Sequence, residues 1–200
     1  MGKSTKWLAV LLCLVLCASA AGLLVDKNTL SREVIRLHVV ANSDSDYDQA
    51  VKLQVRDAVT DYLRSSMADI RDAQQAKDFV RERLPRLSQV ANDTLSALGI
   101  DAAAKVTFCR EEFPIRYYDS FTLPAGVYDS LRITIGEGEG RNWWCVVFPT
   151  MCFAATSQEL DAVAAGAGFS DTLTGTLTGE YEVRFFFLEA LGRLENMFHR

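Results

Sequence analysis

The side chains able to do chemistry are few. The chain has two histidines: His38, within an apolar run, and His199, next to the end. A Ser-His-Asp or Cys-His arrangement needs a histidine with a nucleophile brought to it in space. Only His38 could serve, with Ser43 or Asp44 nearby in sequence, and no Gly-x-Ser-x-Gly elbow occurs. Two scattered histidines and cysteines without a C-x-x-C pair do not supply a zinc site. Asp44, Asp46 and Asp48 begin like a calcium loop, but Gln49 replaces the sixth-position glycine and Val55 the twelfth-position glutamate. Acids at a helix N-terminus, where the macrodipole favours negative charge, account for them better. Gly136, Gly138 and Gly140 alternate with Glu137 and Glu139. That spacing is neither phosphate-loop pattern and its carboxylates would repel an anion, so it reads as a glycine-rich hairpin loop. Neither catalytic residues nor a metal or cofactor is expected.

The elements that must position these residues follow from periodicity. Val34–Val40 is rich in β-branched residues and predicts a strand. Ser45, three residues before Asp48, is an N-cap for an amphipathic helix over 46–64, with Val51, Val55, Val59 and Tyr62 on one face. A second helical pattern runs from Ala76 to Leu98 through Pro85 and stops at Gly99. Strands are predicted at 105–110, 131–135 and 143–148, the last apolar on both faces. Glu111–Tyr118 reads as an irregular or edge segment, because Pro114 cannot donate to a ladder. Residues 154–179 suggest a short helix near 158–165 and then a loop. A last strand is predicted over 181–187, followed by a terminal helix marked by Leu188, Leu191, Leu194 and Phe198. This order predicts a single α+β domain over 26–200, a mainly antiparallel sheet with helices packed on one face.

The first 21 residues are a different kind of segment. Lys3 and Lys6 precede nineteen uncharged residues, Trp7–Val25, that end in Ala18-Ser19-Ala20-Ala21. This is the pattern of a secretory signal peptide, with cleavage after Ala20 or Ala21. An uncleaved membrane anchor has the same length requirement and remains open. Either places the rest of the chain outside the cytoplasm. Removing Met1–Ala20 takes away Lys3 and Lys6 and no acid, so the net charge falls from −5 to −7. Nucleic acid is therefore excluded as a partner, for want of a basic face. Cys109, Cys145 and Cys152 remain. Cys145 and Cys152 are close enough in sequence to form a disulfide, or to be buried free thiols. In Trp143-Trp144 the two indoles must face opposite sides of a strand, and one could anchor a partner.

Several blocks, in order, resemble the stage II sporulation protein R family of endospore-forming bacteria. They are Ile35–Ser45, Asp48–Leu53 with Val55–Val59, Glu111–Pro114, Leu123–Tyr128, Leu131–Gly138 and Gly140–Pro149, followed by Cys152. The resemblance implies a signalling protein rather than an enzyme. Such a protein is secreted from the forespore into the space between the forespore and mother-cell membranes, or held there if its signal is not cleaved. There it activates a membrane-embedded aspartic protease of the mother cell, stage II sporulation protein GA, which processes pro-sigma-E. Its membrane contact would be the signal segment only. Three segments flank predicted strand ends and are the expected partner contacts: the turn with Asn42, Ser43, Asp44 and Asp48; the segment Glu112, Phe113, Pro114; and the loop Gly136, Glu137, Gly138, Asn142 with Trp143 and Trp144. Two other readings stay open: an exported hydrolase using His38, and an envelope structural protein anchored by residues 7–25.

Overall fold

The computed structural model describes residues 3–118, 121–148, 169–180 and 182–199. Helix α1 (Lys3–Glu33) leads into β1 (Ile35–Val40), then α2 (Asp46–Ser66) and α3 (Ala73–Ala97). Next come β2 (Ala104–Phe113), β3 (Arg116–Tyr117), β4 (Thr122–Leu123), β5 (Gly126–Ile135) and β6 (Asn142–Phe148). Two helices close the described chain, α4 (Asp171–Leu177) and α5 (Glu182–His199).

Four strands form one sheet in the order β2-β5-β1-β6, and β3 pairs with β4 beside it. The pairs β2–β5 and β1–β6 are antiparallel; β1–β5 is parallel. Strand alternation divides β1 between two cores. Ile35, Leu37 and Val39 enter a core with Val51, Val55, Val59 and Leu63 of α2 and Val80, Leu87 and Leu95 of α3. Each such aliphatic side chain contributes roughly 1.5–3 kcal/mol when fully buried. The predicted spacing of α2 and α3 is thus the spacing of their buried faces. Ser45 caps α2 by accepting a hydrogen bond from the Asp48 amide. Pro85 lies inside α3 on its exposed side, and Gly99 ends the helix at φ +70°.

The α+β class stands, and α2 and α3 cover one face as expected. The opposite face is covered too, over the end nearest the start of β1. There Leu30 of α1, Val34, Phe113, Tyr128, Val146, Leu173, Leu177 and Leu188 form a second core. The last third of α1 is therefore part of the domain. Ser31 Oγ donates to the Val127 carbonyl at 2.8 Å, and Lys27 pairs with Glu195 at 2.9 Å.

Three sequence expectations change. The last strand over 181–187 is instead the start of α5, whose aromatic run follows helical spacing, with Phe185 partly buried and Phe186 and Phe187 exposed. The loop before it contains α4, capped by Ser170 Oγ, which accepts from the Leu173 amide. Glu111–Phe113 continue β2, since Pro114 follows the strand rather than interrupting it. The short helix expected near 158–165 lies outside the described residues.

Candidate functional site

At one end of the sheet, where β1 and β5 finish, the Asn42–Asp48 turn and the Gly136–Asn142 loop clasp each other. The loop is not a hairpin. Strand β1 lies between β5 and β6, so the chain must cross the end of β1. It does so by hydrogen bonding to the turn that leaves that strand. The amides of Gly140 and Glu139 donate to the carbonyls of Ala41 and Asn42, at 3.0 and 3.1 Å. The Glu137 amide donates to Asn42 Oδ1 at 3.0 Å, and the Arg141 amide to Asp44 Oδ1 at 2.7 Å. Three glycines are required, Gly138 among them at φ +68°. Gly136 has φ +56°, and a Cβ at Gly140 would overlap the Ser43 carbonyl.

Asp48 organises the turn from below. Its Oδ2 accepts from Ser43 Oγ at 2.6 Å and Asn42 Nδ2 at 3.0 Å. These two bonds hold its carboxyl below the usual carboxylate range. Lys52, one turn along α2, is buried and donates to Gln49 Oε1 at 2.6 Å and the Arg141 carbonyl at 2.9 Å. Burial, with Arg141 nearby, lowers its pKa. Lys52 is not on the apolar face of Val51, Val55, Val59 and Tyr62 that the spacing predicts for α2. Its role depends on a loop 89 residues away.

His38 sits beneath this clasp on the partly covered sheet face. Its Nδ1 faces both Glu111 carboxylate oxygens at 3.1 Å, and its Nε2 meets Asn142 Oδ1 at 2.8 Å. The ring stacks on Trp144, with centroids 3.8 Å apart. Burial would raise Glu111, but the His38 hydrogen bond and the charges of His38 and Arg132 hold it below its ordinary value. Arg132 Nη1 lies 3.2 Å from its Oε2. Glu111, read in the sequence as part of an edge segment and of a family block, is thus the polar partner of the buried His38. Ser43 and Asp44, the expected partners of a catalytic His38, bond instead to Asp48 and Arg141. Both imidazole nitrogens thus have partners within the domain.

The two tryptophans face opposite ways. Trp144 is half-buried between His38 and Phe113. Trp143 is 36% exposed on the α2 side, with the Arg56 guanidinium 4.2 Å above its ring. Tyr47, in the first turn of α2, is 63% exposed and was missed in the sequence.

The third expected segment does not join this end. Phe113 pairs with Gly126 at the start of β5, nine residues before Ile135, or roughly 30 Å at 3.3 Å per residue. Glu112 is half-buried, Pro114 is exposed, and Phe113 is wholly buried, so it offers no surface. It supports Arg36 instead. That guanidinium is buried 4.3 Å above the Phe113 ring and donates to Tyr118 Oη at 2.9 Å. Cys145 is disulfide-bonded; its expected partner Cys152 lies outside the described residues. Among the described residues, no group of three or more His, Cys, Asp or Glu side chains could hold a metal ion. The apolar stretch of α1 is long enough to cross a membrane and is compatible with a signal sequence.

The chain has relatives. Residues 31–158 match the family model described as stage II sporulation protein R. The stage II sporulation protein R of Bacillus subtilis strain 168 is 34% identical over 160 residues, which cover 76% of this chain and 71% of that protein. No solved structure matches the chain.

Proposed function

The chain belongs to the stage II sporulation protein R family, and we propose that it is an exported signal that activates the mother cell's membrane-embedded aspartic protease, stage II sporulation protein GA, and so triggers processing of pro-sigma-E. The observation that carries this reading is the family match over 31–158, which takes in β1, the clasp and all of β6. The N-terminal apolar helix is consistent with export into the intermembrane space. The occupied nitrogens of His38 favour a docking role over the hydrolase reading.

The docking surface is the clasp. Trp143 and Tyr47 are its exposed aromatics, and Asp44, Glu137, Glu139 and Arg141 its exposed charges. Aromatic side chains on a backbone held by several hydrogen bonds lose little freedom on binding. Activation requires tighter binding to the active state of the protease than to the inactive one. A tenfold difference in affinity corresponds to about 1.4 kcal/mol. The disulfide between Cys145 and Cys152 belongs to the same proposal. It would tie the middle of β6 to the segment that follows.

Co-expression of this chain, the protease and pro-sigma-E in a non-sporulating host tests the reading. Cleavage is expected only when all three are present and the chain is exported. Cleavage without the chain, or none with all three folded and correctly located, overturns it.

A further inference from the structure

Helix α5 carries an apolar face that the domain does not use. Leu188 and Gly192 are buried against the sheet end, and Glu189 Oε2 accepts from the Ala125 amide at 2.7 Å. On the opposite side Phe186, Phe187, Leu194, Met197 and Phe198 are 67, 50, 49, 69 and 86% exposed. At 100° per residue these five side chains fall within about 120° of arc, over a length of about 18 Å. Glu182 and Arg193, both exposed, flank the stripe. A helix that buries polar contacts and presents phenylalanines outward is built to meet a second apolar phase.

What that phase is follows from α1. The uncharged run of α1 ends at Val25. The next residue, Asp26, is buried and paired to Arg184 in the first turn of α5, with Nε 3.0 Å from Oδ2. Lys27 pairs with Glu195 farther along the same helix. These contacts hold α5 beside the point where the membrane-compatible run stops. A groove of about 760 Å³ between α1 and the α4–α5 pair is lined by Ser19, Leu23, Thr172, Glu180, Glu182 and Phe187. Phe187 of the stripe thus shares this groove with Leu23 of α1. We propose that α5 is a second membrane contact: its Phe186–Phe198 stripe lies in the bilayer interface and seats the domain flat against the membrane. Asp26 and the contacts that orient α5 lie after Ala21, so the stripe would outlast removal of the signal segment. This goes beyond the protease reading and does not depend on it.

Photocrosslinking of the full chain tests the proposal in vesicles of phosphatidylcholine and phosphatidylglycerol. Benzoylphenylalanine replaces Phe186 or Met197 on the stripe, or Tyr47 or Tyr117, which are equally exposed elsewhere. Because α1 is present in every sample, its own insertion is constant. Lipid adducts at least tenfold more abundant from positions 186 and 197 than from 47 and 117 are expected. Equal lipid yields from all four positions, or stripe positions that link mainly to a second copy of the chain, would overturn the proposal. All four sites are exposed, so the replacements leave the packed interior unchanged.

Discussion

Lys52 Nζ, buried on α2, lies 2.9 Å from the carbonyl oxygen of Arg141 in the loop that crosses the end of β1. One ammonium thereby joins the second turn of a helix to the entrance of β6. Lys52→Met keeps the stem and removes the donor. It leaves the Arg141 carbonyl and Gln49 Oε1 without their partner, a loss of about 1–3 kcal/mol. Urea unfolding should show a lower midpoint with an unchanged slope.

Gly140→Ala tests the clasp by volume instead of charge. The added methyl meets the main chain at Ser43, which cannot move without breaking the bonds to the Ala41 and Asn42 carbonyls. The cost should be about 1–3 kcal/mol. Amide exchange should speed up at Glu139 and Gly140, while the β2–β5 ladder stays protected.

The tryptophan pair should separate docking from stability. Trp144→Ala removes the stack on His38 and the edge contact with Phe113, and should cost about 3 kcal/mol. Trp143→Ala removes an indole on the surface. Loss of this part-buried ring and its Arg56 contact should lower stability by about 1 kcal/mol, less than Trp144→Ala. In the co-expression assay it should reduce pro-sigma-E cleavage at equal protein level.

Acid should act through Glu111. Its folded pKa lies below its ordinary value, so the unfolded chain binds this proton at higher pH than the folded chain. The stabilisation is then fully present above the unfolded value of about 4.3, and is lost as pH falls through the folded one. Asp48 shifts in the same direction and adds to the slope. Glu111→Gln should flatten the stability profile over roughly pH 2–5. An unaltered slope in that range would assign the acid sensitivity elsewhere.

Two N-terminal truncations should behave differently. A chain starting at Gly22 keeps Asp26, Leu30, Ser31 and Val34 and should retain the parent's unfolding midpoint. A chain starting at Val34 loses buried Leu30 and leaves Arg184 without Asp26. It should lose at least the 2–5 kcal/mol typical of one deleted core leucine, about the stability of a marginal domain.

Much of the fold was legible because it is local. Val51, Val55 and Val59 recur at helical spacing, Ser45 precedes Asp48 by three, and Leu131, Ile133 and Ile135 alternate. Each pattern is set by the geometry of one backbone segment. The apolar N-terminal run was legible for the same reason, since length and apolar composition alone decide whether a run can enter a bilayer. The start of α5 was not legible. Phe185, Phe186 and Phe187 suit a strand by propensity, and Leu188 and Gly192 select a helix only when the sheet end is there to receive them.

The site divides along the same line. The amino-acid order by itself determined which turns are polar, which loop is rich in glycine, and that adjacent tryptophans on a strand face opposite ways. Only the tertiary structure decided that β1 lies between β5 and β6. That order brings the 136–142 loop onto the 42–48 turn, leaves Phe113 at the far end of the sheet, and gives His38 to Glu111 and Asn142 rather than to Ser43 or Asp44. Pairing among strands far apart in sequence depends on how two cores fill at once, a property of many residues together that no local spacing encodes.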